Sequence, residues 1–200
     1  MRIGVLALQG GFAEHVHALR RIDGVEPEEI RSPGQLPGLD GLVLPGGEST
    51  TIGKLMAAGG LMEPLRELIE SGLPVLATCA GAIMLARTID GSTQPRLGVM
   101  DLAVRRNAFG RQLESFEADL PLAVLGDPPL RAVFIRAPSI AEVGPGVEIL
   151  ARLPDGTIVA ARQRHMIATS FHPELTGDNR FHAWFVRSIV AVMDGRTAAR

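Results

Sequence analysis

The sequence predicts an α/β fold in three layers: a mostly parallel sheet flanked by helices and extended by added antiparallel strands. Three observations carry this. Strand-length apolar runs alternate with helical segments through the first half of the chain. Those runs are nearly continuous, as in strands buried on both faces of a parallel sheet. After Ala86 the segments become short, β-like and separated by turns. Two hundred residues, 46% of them hydrophobic, suit one domain spanning 1–200, and no repeat, low-complexity tract or linker interrupts it.

Taken in order, Ile3 to Leu8 reads as the first strand, broken by Gly10-Gly11 before a helix from about Phe12 to Ile22. His15 and His17 lie on that helix two apart, so they point to different faces and share no metal; both read as structural or solvated. Glu29-Ile30-Arg31 is a short second strand, and Gly41 to Leu44 is the third, ending in Pro45-Gly46-Gly47-Glu48-Ser49-Thr50-Thr51. Ser49 or Thr50 is expected to cap the helix that follows, Thr51 to Ala58, and a second helix covers Leu61 to Glu70. Ser71-Gly72 stops it, and Pro74 opens the run Val75-Leu76-Ala77-Thr78, a buried strand. The run after Gly81 is a packed helix. Val99 to Val104, Glu114 to Asp119, Ala132 to Ile135, Val147 to Leu153 and Thr157 to Ala161 each read as strands, the last two joined through Pro154-Asp155-Gly156 as a hairpin. Met166 to Ser170 is one more strand. A final helix from about Asn179 to Met193 turns Phe181, Trp184, Phe185, Ile189 and Val190 into the core.

The one cysteine of the chain, Cys79, falls on the turn between a buried strand and a helix, with the small residues Ala80 and Gly81 after it. That is the elbow geometry in which a nucleophile is lifted above a sheet, and the N–H groups of the following helix favour a thiolate there. A lone cysteine at a strand end is also often a small hydrophobe, so the chemistry needs partners elsewhere. His172 follows another strand end, at the same rim. In an extended segment Glu174, two residues on, points to the same side and reaches the imidazole, fixing its tautomer. The Gly46-Gly47 loop lies at that rim too, where backbone N–H groups approach a ligand unobstructed. Cys79, His172 and Glu174 together form a candidate triad. His165 and His182 lack this context and read as structural.

The formal net charge is −2 and the arginines are scattered, which leaves no polyanion-binding signature and disfavours nucleic acid as a partner. No Cys/His pair has zinc-like spacing, so metal ligation is disfavoured and no cofactor is expected. A single cysteine fits a reducing compartment, and the N-terminal apolar run is too short for a signal peptide or a membrane span. The expectation is a cytoplasmic protein.

Five motifs together resemble the class I (triad) glutamine amidotransferases, which have a flavodoxin-like sheet. They are Pro45-Gly46-Gly47-Glu48-Ser49-Thr50-Thr51, Thr78-Cys79-Ala80-Gly81, Arg106-Asn107-Ala108-Phe109-Gly110-Arg111-Gln112, Phe134-Ile135-Arg136-Ala137-Pro138 and Ser170-Phe171-His172-Pro173-Glu174-Leu175-Thr176. Within that class Ser115-Phe116-Glu117 and Phe134-Ile135-Arg136 resemble the glutaminase subunits of pyridoxal 5'-phosphate synthase, the PdxT/SNO family. The resemblance implies Cys79 as nucleophile, His172 as acid and base, and Glu174 as its orienter. It further implies that Gly47, Glu48, Ser49, Arg106, Ile135 and Arg136 hold L-glutamine. An oxyanion would be held by backbone N–H groups of Gly47 and Ala80. The implied partner is a (β/α)-barrel synthase subunit in a large hetero-oligomer. Gln9-Gly10-Gly11 and the 105–112 loop are the first places to look for docking, on their expected place around the strand-end rim alone. Two departures stand out: Ala77, where the class usually has glycine, and Arg164-His165, where relatives tend to have a glycine-bearing turn.

Two rival readings remain open on the residues alone. One is another elbow-cysteine enzyme, such as a γ-glutamyl peptide hydrolase or a deglycase-like protein, which would act without a partner. The other is a regulatory module whose cysteine senses oxidants and needs no general acid.

Overall fold

A computed structural model describes residues 1–108 and 115–198. The strands are β1 (Arg2–Leu6), β2 (Glu26–Ile30), β3 (Gly41–Leu44), β4 (Val75–Thr78), β5 (Ala86–Ile89), β6 (Met100–Arg105), β7 (Ser115–Leu120), β8 (Leu130–Ile135), β9 (Ser139–Val143), β10 (Glu148–Arg152), β11 (Ile158–Gln163) and β12 (Met166–Thr169). The helices are α1 (Phe12–Arg20), α2 (Ser49–Ala58), α3 (Met62–Glu70), α4 (Ala80–Leu85) and α5 (Arg180–Ala198). Of the expected strand Glu114 to Asp119 and the expected loop 105–112, Glu114 and 109–112 lie outside the described residues.

Ten strands form one sheet in the order β2-β1-β3-β4-β12-β11-β9-β6-β5, with β10 paired to β11 off that path. From β2 to β12 every pairing is parallel. Beyond β12 the sheet continues antiparallel through β11, β9 and β6. The expected three-layer arrangement follows from the alternation along each central strand. Ile3 and Val5, Val43, Leu76 and Ile167 enter one core. Leu6, Leu42 and Leu44, Val75 and Ala77, and Met166 and Ala168 enter the other. Successive side chains of a strand face opposite ways, so a sheet apolar on both sides needs helices on both. Ile52 and Met56 of α2, Leu65 and Ile69 of α3 and the residues of α4 fill one core. Val16 and Leu19 of α1 and Phe181, Phe185 and Ile189 of α5 fill the other. Val190, expected in that stripe, is exposed.

The separate antiparallel pair β7·β8 closes over this second core, with Phe116 stacked on Phe134 at 4.5 Å between centroids. The backbone N–H of His172 donates to Val133 O at 2.8 Å, so β8 also anchors the segment after β12. The expected hairpin at Pro154-Asp155-Gly156 is present: Gly156 N–H donates to Leu153 O, and Thr157 N–H to the Asp155 carboxylate. Arg164-His165 also makes its tight turn, between Gln163 and Met166, with Arg164 at φ 54°.

Two strands were not expected, β5 and β9. Ala86 ends α4 and begins β5 with no loop, because parallel pairing with Met100 outweighs the helical preference of the alanine-rich run. The capping expectation is also corrected. Glu48, not Ser49 or Thr50, is the N-cap of α2, its carboxylate accepting from the N–H groups of Thr50 and Thr51. No helix among the described residues is long and apolar enough to cross a membrane.

Candidate active site

The central parallel strands end at one rim, and the connections leaving them surround a cavity of about 520 Å³. Gly46, Gly47, Glu48 and Ser49 come from the end of β3, Cys79 and Ala80 from the end of β4, and His172 and Glu174 from the end of β12. Arg106 comes from the end of β6, and Ile135 and Arg136 from the end of β8. Every residue singled out from the sequence therefore lines one space. Gln9, Gly10 and Gly11, after β1, Glu14 of α1, Ile83 of α4, Asn107, after β6, and Leu175 complete the wall.

Cys79 occupies φ 49°, ψ −105°, a conformation that non-glycine residues seldom adopt. Its N–H donates to Thr169 O of β12 at 2.8 Å, and α4 starts at the next residue. The turn closes because of Gly81: a Cβ there would strike the carbonyl oxygen of Leu44 and lie 2.8 Å from its carbon. Among the described residues four non-glycines have positive φ, and Cys79, Asn107 and Arg136 of these border the cavity. Backbone strain collects where ligands are clamped.

His172 Nδ1 lies 2.7 Å from Glu174 Oε1. The Cys79 side chain lies close enough to act on the imidazole, while its own hydrogen bond goes to Ile135 O at 3.9 Å. The pairing is made differently from the extended geometry expected of the sequence. Pro173–Leu175 is a single 3₁₀ turn, and it is this turn that folds the carboxylate back under the imidazole. Burial pulls the His172 pKa down, but the hydrogen bonds and charges of Cys79 and Glu174 overcome it and push it up to about 10. Burial works against ionised Glu174 as well. The charges and hydrogen bonds of His15 and His172 outweigh it and hold the carboxyl well below the usual range. His172 is thus an imidazolium beside a sulfur, backed by a carboxylate.

Gly46 stands over this group. A Cβ on it would run into the His172 ring and lie 3.3 Å from Cys79 Cβ. Arg106 is held in place by its surroundings: one terminal nitrogen donates to Thr50 Oγ1 and Gln94 Oε1, the other to Glu48 Oε1 at 3.1 Å. Glu48 in turn caps α2. Burial would raise its pKa, but hydrogen bonds from Thr51 and Thr50 take it down to about 2. Ser49, buried, reaches Gln94 rather than the α2 N–H groups. Glu48 N–H donates to Gln9 Oε1 at 2.7 Å, tying the β1 and β3 connections together.

One residue of this region escapes the sequence reading. His15, taken as structural or solvated, is fully buried with Nε2 3.3 Å from the second oxygen of Glu174 and 3.1 Å from Thr78 Oγ1. The available signal was its place beside Val16 and four residues before Leu19, on the apolar side of α1. His17 is exposed, and His165 bonds to Ile69 O, away from the rim.

A family model described as the SNO glutamine amidotransferase family matches residues 5–191. The chain belongs to that family. Curated relatives agree over nearly their whole length. The pyridoxal 5'-phosphate synthase subunit PdxT of Carboxydothermus hydrogenoformans is 57% identical over 94% of this chain and 98% of its own. That of Pelotomaculum thermopropionicum is 59% identical over 95% of this chain and 96% of its own. A solved structure titled as a glutamine amidotransferase superposes with a TM-score of 0.89 at 52% identity, covering 94% of this chain and 98% of that one. A chain in the structure of PurLQS from Thermotoga maritima shares the fold, with a TM-score of 0.70 at 16% identity over 96% of this chain and 98% of that one. For an SNO-family amidotransferase the cavity lies at the carboxyl ends of the parallel strands, where open α/β sheets bind their ligands.

Proposed function

We propose that this chain is the glutaminase of a pyridoxal 5'-phosphate synthase, converting L-glutamine and water to L-glutamate and ammonia and handing the ammonia to a synthase subunit. The observation that carries the chemistry is the line from the Cys79 thiol through His172 to Glu174 at the floor of the cavity. The Cys79 thiolate attacks the side-chain carboxamide carbon of glutamine. The oxyanion that forms is held by backbone N–H groups of Gly47 and Ala80. Imidazolium His172 gives its proton to the nitrogen as the C–N bond breaks, and ammonia leaves. Water then surrenders a proton to neutral His172 and attacks the γ-glutamyl thioester. The C–S bond breaks and glutamate departs, restoring the thiolate–imidazolium pair. Glu174 keeps the His172 ring oriented in both halves. The α-carboxylate and α-ammonium of glutamine are gripped by the Glu48, Ser49, Arg106, Ile135 and Arg136 wall, where the fixed guanidinium of Arg106 supplies a planar donor pair.

Ammonia released into water becomes ammonium and ceases to be a nucleophile, so its acceptor site must be coupled directly. The whole described chain is one glutaminase domain, and the acceptor is a separate (β/α)-barrel subunit in a large cytoplasmic complex. The test is glutamate release from free glutamine by the purified chain, alone and with a pyridoxal 5'-phosphate synthase subunit. Release stimulated by the partner and lost in Cys79→Ala by several orders of magnitude is the expected result. Release that survives Cys79→Ala would overturn the mechanism, and release from γ-glutamyl peptides alone would overturn the substrate.

A further inference from the structure

We infer that His15 is a positioning residue for the triad: its Nε2–H, 3.3 Å from the second oxygen of Glu174, restrains by charge attraction the one carboxylate oxygen that no hydrogen bond holds. This rests on the triad reading above. Glu174 Oε1 serves His172 at 2.7 Å, while Oε2 is buried without a hydrogen bond of its own and has His15 Nε2 3.3 Å away; the side chains of His15 and Glu174 are fully shielded from solvent. An ionised carboxylate only accepts hydrogen bonds, so Nε2 must carry a hydrogen. The same Nε2 lies 3.1 Å from Thr78 Oγ1, the side chain immediately before the nucleophile. One ring therefore spans the acid and the elbow.

On the far side His15 Nδ1 is 2.9 Å from His182 Nε2, and one hydrogen lies between them. Burial, reinforced by the neighbouring His15, keeps His182 neutral, its pKa lowered to about 3. Its other nitrogen, Nδ1, is buried without a hydrogen-bond partner, so this histidine pair leads to no further group and ends at α5. The ionisable groups acting on the pair are Glu174, from the segment after β12, and Arg21, from the end of α1, while His172 acts on Glu174 from its other side. A carboxylate fixed at one oxygen alone can swing about its Cγ–Cδ bond. Fixed at both, it keeps Oε1 aimed at His172 Nδ1 throughout the reaction.

The decisive comparison sets His15→Gln, whose terminal amide places a donor near the Nε2 position, against His15→Asn and His15→Leu, which do not reach Glu174. Cys79 is the only cysteine of the chain, so its alkylation by iodoacetamide across the pH range reads the thiolate–imidazolium pair directly, whatever the substrate. His15→Asn and His15→Leu are expected to move that profile to higher pH. They should also lower kcat for glutamine about tenfold with KM unchanged, and His15→Gln should recover most of both. Wild-type profiles in the Asn and Leu variants, with only a lowered melting temperature, would assign His15 to packing and overturn the inference. If those variants do not fold, ¹⁵N shifts of the histidines decide, recorded in the wild type and in Thr78→Val, which removes the competing hydroxyl: a hydrogen still on Nε2 of His15 in Thr78→Val upholds the inference, and a bare Nε2 overturns it. A shifted alkylation profile in His15→Asn and His15→Leu, found with a wild-type protein that leaves glutamine intact, would retire the proposed substrate while the positioning role stands.

Discussion

At the scale of single residues, the cavity is defined by what is missing as much as by what is there. Gly46 has no room for a methyl group against His172 and Cys79. Gly46→Ala is therefore expected to displace the imidazole and lower kcat/KM by about a hundredfold, with the melting temperature little changed. Steady-state kinetics beside a thermal melt checks this, and full activity would mean the ring sits elsewhere in solution. Replacing Glu174 by Gln leaves the shape but lets the amide donate where an acceptor is required. A loss on the order of 10³–10⁴ in kcat is expected from the reversed tautomer, and an activity within tenfold of wild type would refute the orienting role. Cys79, His172 and Glu174 were legible because each follows a strand end in a parallel sheet, and strand ends share a rim. His15 was not, because a histidine on an apolar helical face looks alike whether it meets aliphatic side chains or a carboxylate. Only the packing of α1 under the turn after β12 decides that.

At the scale of elements, α2 starts from a carboxylate that serves two masters, the helix N–H groups and Arg106. Glu48→Ala is expected to cost about 1 kcal/mol in urea denaturation through the lost cap and to raise KM for glutamine by freeing the guanidinium. An unchanged KM would detach Arg106 from substrate binding. Helix α4 touches β3 so closely at Gly81 that Gly81→Ala is expected to destabilise by about 1–3 kcal/mol, read by the same denaturation. The sequence announces α2 and β4 through their apolar periods and flanking turn residues. It hides β5 and β9: β5 follows α4 without a turn residue, and Ser139–Val143 carries only a short apolar stretch. Both exist because β6 offers edges to pair with, which is information about distant residues.

At the scale of the whole molecule, two buried histidines give the stability a maximum in pH. His182 in the unfolded chain takes up its proton near pH 6.5, but in the fold it refuses one until about 3. The unfolded state then binds more protons, so stability falls as pH drops below about 6.5. His172 has the opposite sign. Its folded pKa of about 10 stabilises fully below 6.5, and that contribution fades as pH rises through 10. Each limb approaches about 1.4 kcal/mol per pH unit, and Glu174 adds to the acid limb only below its ordinary range near 4.5. Urea midpoints measured across this span should peak near pH 6.5, and His182→Gln should flatten the acid limb between 4.5 and 6.5 while leaving the alkaline one. An acid limb of undiminished slope in that variant would place its origin elsewhere.

The sheet order carries a consequence in time. Strand β12 lies at the heart of the sheet, between β4 and β11, yet of the described strands it is the last to be synthesised. Until Met166–Thr169 emerges, the hydrogen-bonding edge of β4 beside Cys79 is open and the thiol has no imidazole beside it. A nascent chain thus carries its sulfur unarmed, and the event that seals the exposed edge is the same one that delivers His172. Completion of the proposed triad and protection from edge-to-edge association arrive together, in a single docking step.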